Sequence, residues 1–124
     1  MSTLADLRVL VVEDESLVAM LIEAMLEDAG CVIVGPASRV AEAMELMDGG
    51  ERIDLALLDV NVAGQQVFPV AEALAARNIP LVFSTGYGEG GLPEEWRGRP
   101  VVQKPFTEDG LRKALEAAAE TITA

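Results

Sequence analysis

The sequence predicts an α/β domain whose parallel sheet is covered by helices on both faces, and three observations carry that prediction. Five apolar runs alternate with amphipathic helical stripes along the 124 residues. The runs are almost continuously hydrophobic, as strands buried on both sides must be. Four of them end on a residue suited to phosphoryl chemistry, and an open parallel sheet places its ligand site outside the carboxyl ends of its strands.

The first run, Leu7 to Val12, leads into Glu13-Asp14. Leu17, Met20, Leu21, Ala24 and Asp28 then follow helical spacing, the first four as an apolar stripe expected to face the core. Gly30 is expected to close this helix as its C′ residue. A second strand is expected over 31–34, with Gly35-Pro36 as punctuation and Ser38 as the N-cap of the next helix. Val40, Ala43, Met44 and Met47 form the second stripe, ended by Gly49-Gly50, and a third strand covers about 54–58 before Asp59. The methionines on these stripes read as core filler. Val67, Val70, Ala71 and Leu74 form a third stripe that stops near Asn78, and Pro80 opens a fourth strand leading to Ser84-Thr85.

The alternation then breaks. Gly86 to Pro100 holds five glycines and two prolines in fifteen residues. Each interior glycine costs a helix about 1 kcal/mol relative to alanine, so at most a short turn near 93–97 is expected where the fourth helix belongs, within an expected mobile loop. Val101-Val102-Gln103 runs into Lys104-Pro105, and the last helix starts at Thr107 as N-cap, with Glu108 and Asp109 in its first turn. Leu111, Ala114, Leu115, Ala118 and Ile122 make its buried side. Right-handed crossovers leave few topologies for such a chain. The flavodoxin-like order 2-1-3-4-5 suits it and sets the switch point between the first and third strands, which end in Glu13-Asp14 and Asp59.

Those strand ends define a candidate site. A carboxylate such as Asp59 attacks phosphorus to give an acyl phosphate, but repulsion from the anionic phosphoryl group must be screened. Mg²⁺ does this and takes six oxygen ligands while keeping several waters. Glu13, Asp14, Asp59 and the backbone carbonyl of Asn61 are the expected metal ligands. Two carboxylates 5 Å apart repel by about 3 kcal/mol at an effective dielectric near 20, so one of the three acids should hold its proton unusually well without metal. Lys104 supplies a positive charge to pair with Asp59 and then with a phosphoryl oxygen, and Thr85 supplies a hydroxyl donor.

Composition excludes several classes. The net charge is −12, with only nine basic residues and no cluster of them, which argues against nucleic acid. Glu23, Glu27 and Asp28, like Glu42, Glu45 and Asp48, read as solvated helix faces. No run approaches the roughly 20 apolar residues of a membrane span. The start lacks the pattern of a signal peptide. Cys31, the single cysteine, rules out an internal disulfide and reads as a small buried hydrophobe. A cytoplasmic domain filling residues 1–124, its core about 7–122, with no output domain, is expected.

These residues also carry a family resemblance. VVEDE after the first strand, LLDV around Asp59, Thr85 followed by Gly86, and Lys104-Pro105-Phe106 resemble a response-regulator receiver domain from end to end. The resemblance implies Asp59 as phosphoacceptor, Glu13 and Asp14 as magnesium carboxylates, with Glu13 in place of the commoner Asp, Thr85 as switch hydroxyl and Lys104 as phosphoryl-binding lysine. It also implies a cis Lys104-Pro105 bond and a non-enzymatic role in two-component signalling. Two positions depart from the family. Ala63 stands where a proline is usual, and Val101 replaces the aromatic switch residue.

Phe83-Ser84-Thr85-Gly86-Tyr87 resembles the alphaproteobacterial single-domain "FAT GUY" subgroup, with Ser84 in place of its alanine. That implies stress signalling and a sensor histidine kinase of the HWE or a related type. It also implies a stand-alone regulator or phosphate relay. A downstream protein target or phosphotransfer protein and a monomer or weak phosphorylation-dependent dimer are expected, with no contact to nucleic acid or membrane, as the charge and the short apolar runs indicate. Switching is expected through Thr85, Gly86 and Tyr87 rather than through a ring on strand five. Three rival readings are weaker. Gly86 to Gly91 satisfies the G-x-G-x-x-G of a dinucleotide site but follows the fourth strand instead of the first. A Mg²⁺-dependent phosphatase using Asp59 would want a general acid where Asn61 stands, and a pseudo-receiver would not need the intact set.

Overall fold

The computed structural model describes residues 4–86 and 92–123, with the side chains of residues 122 and 123 outside that description. Its elements, in order, are β1 (Arg8–Val12), α1 (Ser16–Asp28), β2 (Val32–Ala37), α2 (Val40–Asp48), β3 (Leu55–Asp59), the short strands β4 (Asn61–Val62) and β5 (Gln65–Gln66), α3 (Phe68–Ala76), β6 (Leu81–Thr85), β7 (Val101–Gln103) and α4 (Glu108–Ala119). A single 3₁₀ turn, Glu94–Trp96, stands where a fourth crossover helix was not expected to survive. The main sheet is parallel, in the order β2-β1-β3-β6-β7. Leaving aside the β4–β5 hairpin, this is the expected 2-1-3-4-5.

Alternation along the strands splits the interior in two. Val9, Val11, Leu55, Leu57 and Val82 point to one side, where Ile22 and Leu26 of α1 and Leu111, Leu115 and Ala118 of α4 cover them. Leu10, Val12, Ala56, Leu58, Leu81 and Phe83 point to the other, under Ala43 and Met47 of α2, Val70, Ala71 and Leu74 of α3, and Trp96. Strands buried on both faces therefore had to be apolar throughout. Phe83, Phe68 and Trp96 form a cluster on this second side, with Phe83 edge-on to Trp96 at 5.8 Å between ring centroids and Phe68 stacked on Trp96 at 6.2 Å.

Helix ends follow local chemistry. Gly30, at φ +85°, receives the end of α1, and the N–H groups of Gly30 and Cys31 donate to the carbonyls of Glu27 and Leu26, both at 3.0 Å. The Thr107 hydroxyl accepts the Gly110 N–H at 3.0 Å and caps α4. Cys31 is buried, with its Sγ donating to the Leu4 carbonyl at 3.4 Å.

Three expectations are corrected. The stripe Leu17, Met20 and Leu21 does not face the core: these side chains are 76%, 62% and 58% exposed, and α1 instead buries Ala19, Ile22 and Leu26. Met20 is therefore not core filler. Nearly every side of α1 is apolar, so periodicity offered two stripes, and the one packed against β1 and β3 carries Ile22 and Leu26. Second, β2 runs through Gly35-Pro36 to Ala37. Leu10 pairs with Val34 but Val12 with Ala37, so β2 carries an extra residue there. Gly35 sits at φ +102°, and a Cβ on it would lie 2.8 Å from the Ala37 nitrogen, which makes glycine necessary at this bulge. Both Gly35-Pro36 and Lys104-Pro105 are cis. Third, Ser38 does not cap α2. Arg39 occupies that position with no side-chain cap, and Glu42 reaches back to accept the Ser38 N–H at 2.7 Å.

Candidate functional site

The sheet order sets the carboxyl ends of β1, β3, β6 and β7 side by side. Glu13 and Asp14 follow β1, Asp59 ends β3, Thr85 ends β6 and Lys104 follows β7. Asp59 pairs in register with Ser84, and the Thr85 carbonyl accepts the Lys104 N–H at 2.9 Å. One carboxylate oxygen from each of Glu13, Asp14 and Asp59 lies within 4.8 Å of the others. The lysine reaches into this acidic group: its Nζ is 2.8 Å from Glu13 Oε1, 3.3 Å from Asp59 Oδ2 and 3.9 Å from Glu15 Oε1. A cleft of about 340 Å³ opens here, lined by Asp14, Glu15, Asp59, Asn61, Gly86 and Lys104 among others.

Each acid is held differently. Glu13 is almost fully buried, and its second oxygen accepts the Glu15 N–H at 3.0 Å. Its Oε1 is buried too and forms an ion pair with Lys104. Asp59 is buried and accepts from the backbone N–H of Asn61. Asp14 is exposed, and its Oδ2 accepts the Ala63 N–H at 3.0 Å.

The electrostatics follow from that packing. Burial, then the Glu13 charge, push the Asp59 pKa up to about 7 against the pull of Lys104 and the Asn61 N–H. Burial opposes the Lys104 ammonium, but its bonds and charges shared with Glu13 and Asp59 outweigh that and raise its pKa. For Asp14, burial is outweighed by hydrogen bonds from the Ala63 and Asp14 N–H groups and with Asp59 and Glu13, so its pKa falls. The expectation that one acid would hold its proton is thus met by Asp59. Three converging carboxylate oxygens are a donor set suited to a hard divalent cation such as Mg²⁺.

Of the expected residues, Glu13, Asp14, Asp59 and Lys104 come together and Thr85 ends the neighbouring strand, while Tyr87 lies outside the described residues, as do Gly88 to Gly91 of the glycine motif. Gly86 lines the cleft, Asn61 lies beside Asp59, and Val101 pairs with Phe83 at the edge of the aromatic cluster. Sequence reading missed two contributors. Glu15 adds a fourth carboxylate near Lys104, a signal present in the run Glu13-Asp14-Glu15. The hairpin β4–β5 forms a wall of the cleft, and its two-residue turn was marked only by Gly64.

A doubly wound sheet with an acidic pocket and a lysine at its switch point defines a receiver-type signalling domain. The comparison with known families agrees: residues 9–116 match the response regulator receiver domain, and the chain belongs to that family. It is 45% identical to SdrG from Sphingomonas melonis Fr1, whose solution structure superposes with a TM-score of 0.79 and full coverage of both chains. The crystal structure of the response regulator PhyR from Brucella abortus is 33% identical, with a TM-score of 0.82 over 94% of this chain and 49% of that one. The transcriptional regulatory protein PdtaR of Mycobacterium tuberculosis is 34% identical over 115 residues, 90% of this chain and 56% of the relative. The chain thus spans about half the length of the curated relatives it matches. Membership makes it a component of two-component signalling, in a family whose members are phosphoacceptor regulators rather than enzymes and bind Mg²⁺ at an acidic pocket. No described helix is long and apolar enough to cross a membrane.

Proposed function

We propose that the chain is a response regulator that accepts a phosphoryl group from a histidine kinase on Asp59 and passes the signal through protein contacts. The observation that carries this reading is Lys104 Nζ lying between Asp59 and Glu13, at 3.3 and 2.8 Å, at the mouth of an acidic cleft. In the reaction an Asp59 oxygen forms a bond to phosphorus while the nitrogen–phosphorus bond of a phosphohistidine breaks, and the imidazole leaves with the bonding pair. Lys104 exchanges its contact with Asp59 for one with a phosphoryl oxygen, and Thr85 donates its hydroxyl to the same group. Glu13, Asp14, Asp59 and the Asn61 carbonyl would hold Mg²⁺, which would supply the charge screening that such a transfer requires.

The segment Phe83 to Tyr87 supports a kinase of the HWE or a related type, and the likeness to PhyR, a stress response regulator, supports a stress-signalling role. The excess of acidic residues supports a protein target and not nucleic acid. The test is direct. A small phosphodonor with Mg²⁺ should add one phosphoryl group by mass spectrometry and none to Asp59→Asn. Equal labelling of the variant would remove Asp59 from its role.

A further inference from the structure

Of the three acids whose oxygens converge, Asp14 is the exposed one, carried on the turn between β1 and α1. Glu13 and Asp59 are fixed by burial and by Lys104. Asp14 has a different anchor: the backbone N–H of Ala63, 49 residues further along the chain, which meets its Oδ2 at 3.0 Å. That donor is itself rigidly placed. Asn61 pairs with Gln66 and Val62 with Gln65, leaving Ala63 and Gly64 as a two-residue turn at φ +49° and +83°. Positive φ at both central residues is the type I′ pattern of a tight hairpin. The base of the hairpin is pinned from below, since Val62 and Val67 are fully buried and the Val67 N–H donates to the Val60 carbonyl at 2.9 Å.

We infer that Ala63 is a positioning residue for the metal site: its backbone N–H holds Asp14 Oδ2, so that the other carboxylate oxygen stays aimed at the cation. This rests on the magnesium reading above and goes beyond it by assigning the hairpin tip a role in affinity. Ala63 touches neither cation nor phosphoryl group. It acts through Asp14, as hydrogen-bond partners of ligating carboxylates do elsewhere.

The test is to replace the Ala63 amide by an ester, which deletes the N–H and keeps the side chain and turn. Mg²⁺ titration by calorimetry is the readout, with no phosphorylation step involved. Loss of such a partner weakens metal binding by about 10-fold or more, and that is the expected change in dissociation constant. Ala63→Gly, which keeps the N–H and suits positive φ, should bind Mg²⁺ as the parent does. Combining the ester with Asp14→Asn should give no further loss beyond Asp14→Asn alone. A role confined to turn stability predicts instead a lower melting temperature with an unchanged dissociation constant, and that result would overturn the inference. Should the unaltered protein take up no Mg²⁺, the magnesium reading falls and this inference with it. If it binds Mg²⁺ but the ester binds equally well, only the inference falls.

Discussion

Lys104 sits nearer to Glu13 than to Asp59, at 2.8 Å from an oxygen of the one and 3.3 Å from an oxygen of the other. The lysine is thus more than a partner waiting for phosphate. Glu13 is 3% exposed, and Lys104 is its main compensation in the folded chain. Removing one member of a buried pair leaves the other charge stranded, at a cost of about 3–5 kcal/mol. Lys104→Ala should therefore lower stability in denaturant titrations by something approaching that range, besides impairing phosphorylation. A variant as stable as the parent would mean that Glu13 finds other relief.

The proton on Asp59 gives stability a pH dependence of definite sign. Its pKa rises from 3.8 to about 7 in the folded chain. Between those values the unfolded chain has released a proton that the folded chain keeps, so this group's stabilisation is full below 3.8 and drains away as pH climbs to about 7. In chelator, Asp59→Asn should flatten that fall and melt higher than the parent at pH 8. Mg²⁺ should stabilise the parent, by about 2.7 kcal/mol at a hundred times its dissociation constant, and much less the variant. Melting curves from pH 4 to 8 decide it.

The face of α1 that meets solvent can be tested by contrast. Leu17→Gln should change stability by no more than about 0.5 kcal/mol, as exposed positions do. Leu26→Ala, at a position 1% exposed, should cost about 2–5 kcal/mol. Similar costs at both positions would place the helix in the rotation that periodicity first suggested.

Trp96 offers a view of switching. Thr85 and Phe83 lie two apart on β6 and share one side of the strand, and Phe83 meets the Trp96 ring edge-on. A shift of Thr85 towards a phosphoryl group would be felt at Trp96 through this contact. A phosphoryl mimic with Mg²⁺ should change Trp96 emission and slow amide exchange over 92–98. Thr85→Ala should blunt both while leaving Asp59 reactive. Unchanged emission in the parent would rule the path out.

Much of this was readable in advance, for identifiable reasons. Strands buried on both faces leave apolar runs, and β1, β3 and β6 were legible because theirs are short, rich in Val and Leu and bounded by turn residues. Glu13, Asp14, Asp59, Thr85 and Lys104 were legible because a parallel sheet brings its strand ends together without regard to sequence distance. The orientation of α1 was not, because Leu17 and Ile22 are equally apolar and only the tertiary turn distinguishes them. Nor was the β2 bulge, since Gly35-Pro36 is also the signature of a loop. The hairpin after Asp59 escaped because Ala63 is a poor marker for positive φ, where asparagine or glycine would have announced the turn.

The bulge at Gly35-Pro36 bears on how this protein meets others. It lies on β2, one rim of the sheet, while the opposite rim, β7, is three residues long. Proline has no N–H to offer a neighbouring strand, a bulge twists the backbone away, and a three-residue strand presents few free groups. Among the described residues, both margins are therefore poor templates for a foreign strand. Such rims favour recognition over the helices or at the mouth of the cleft, and they blunt the seam along which crowded copies would otherwise pair edge to edge.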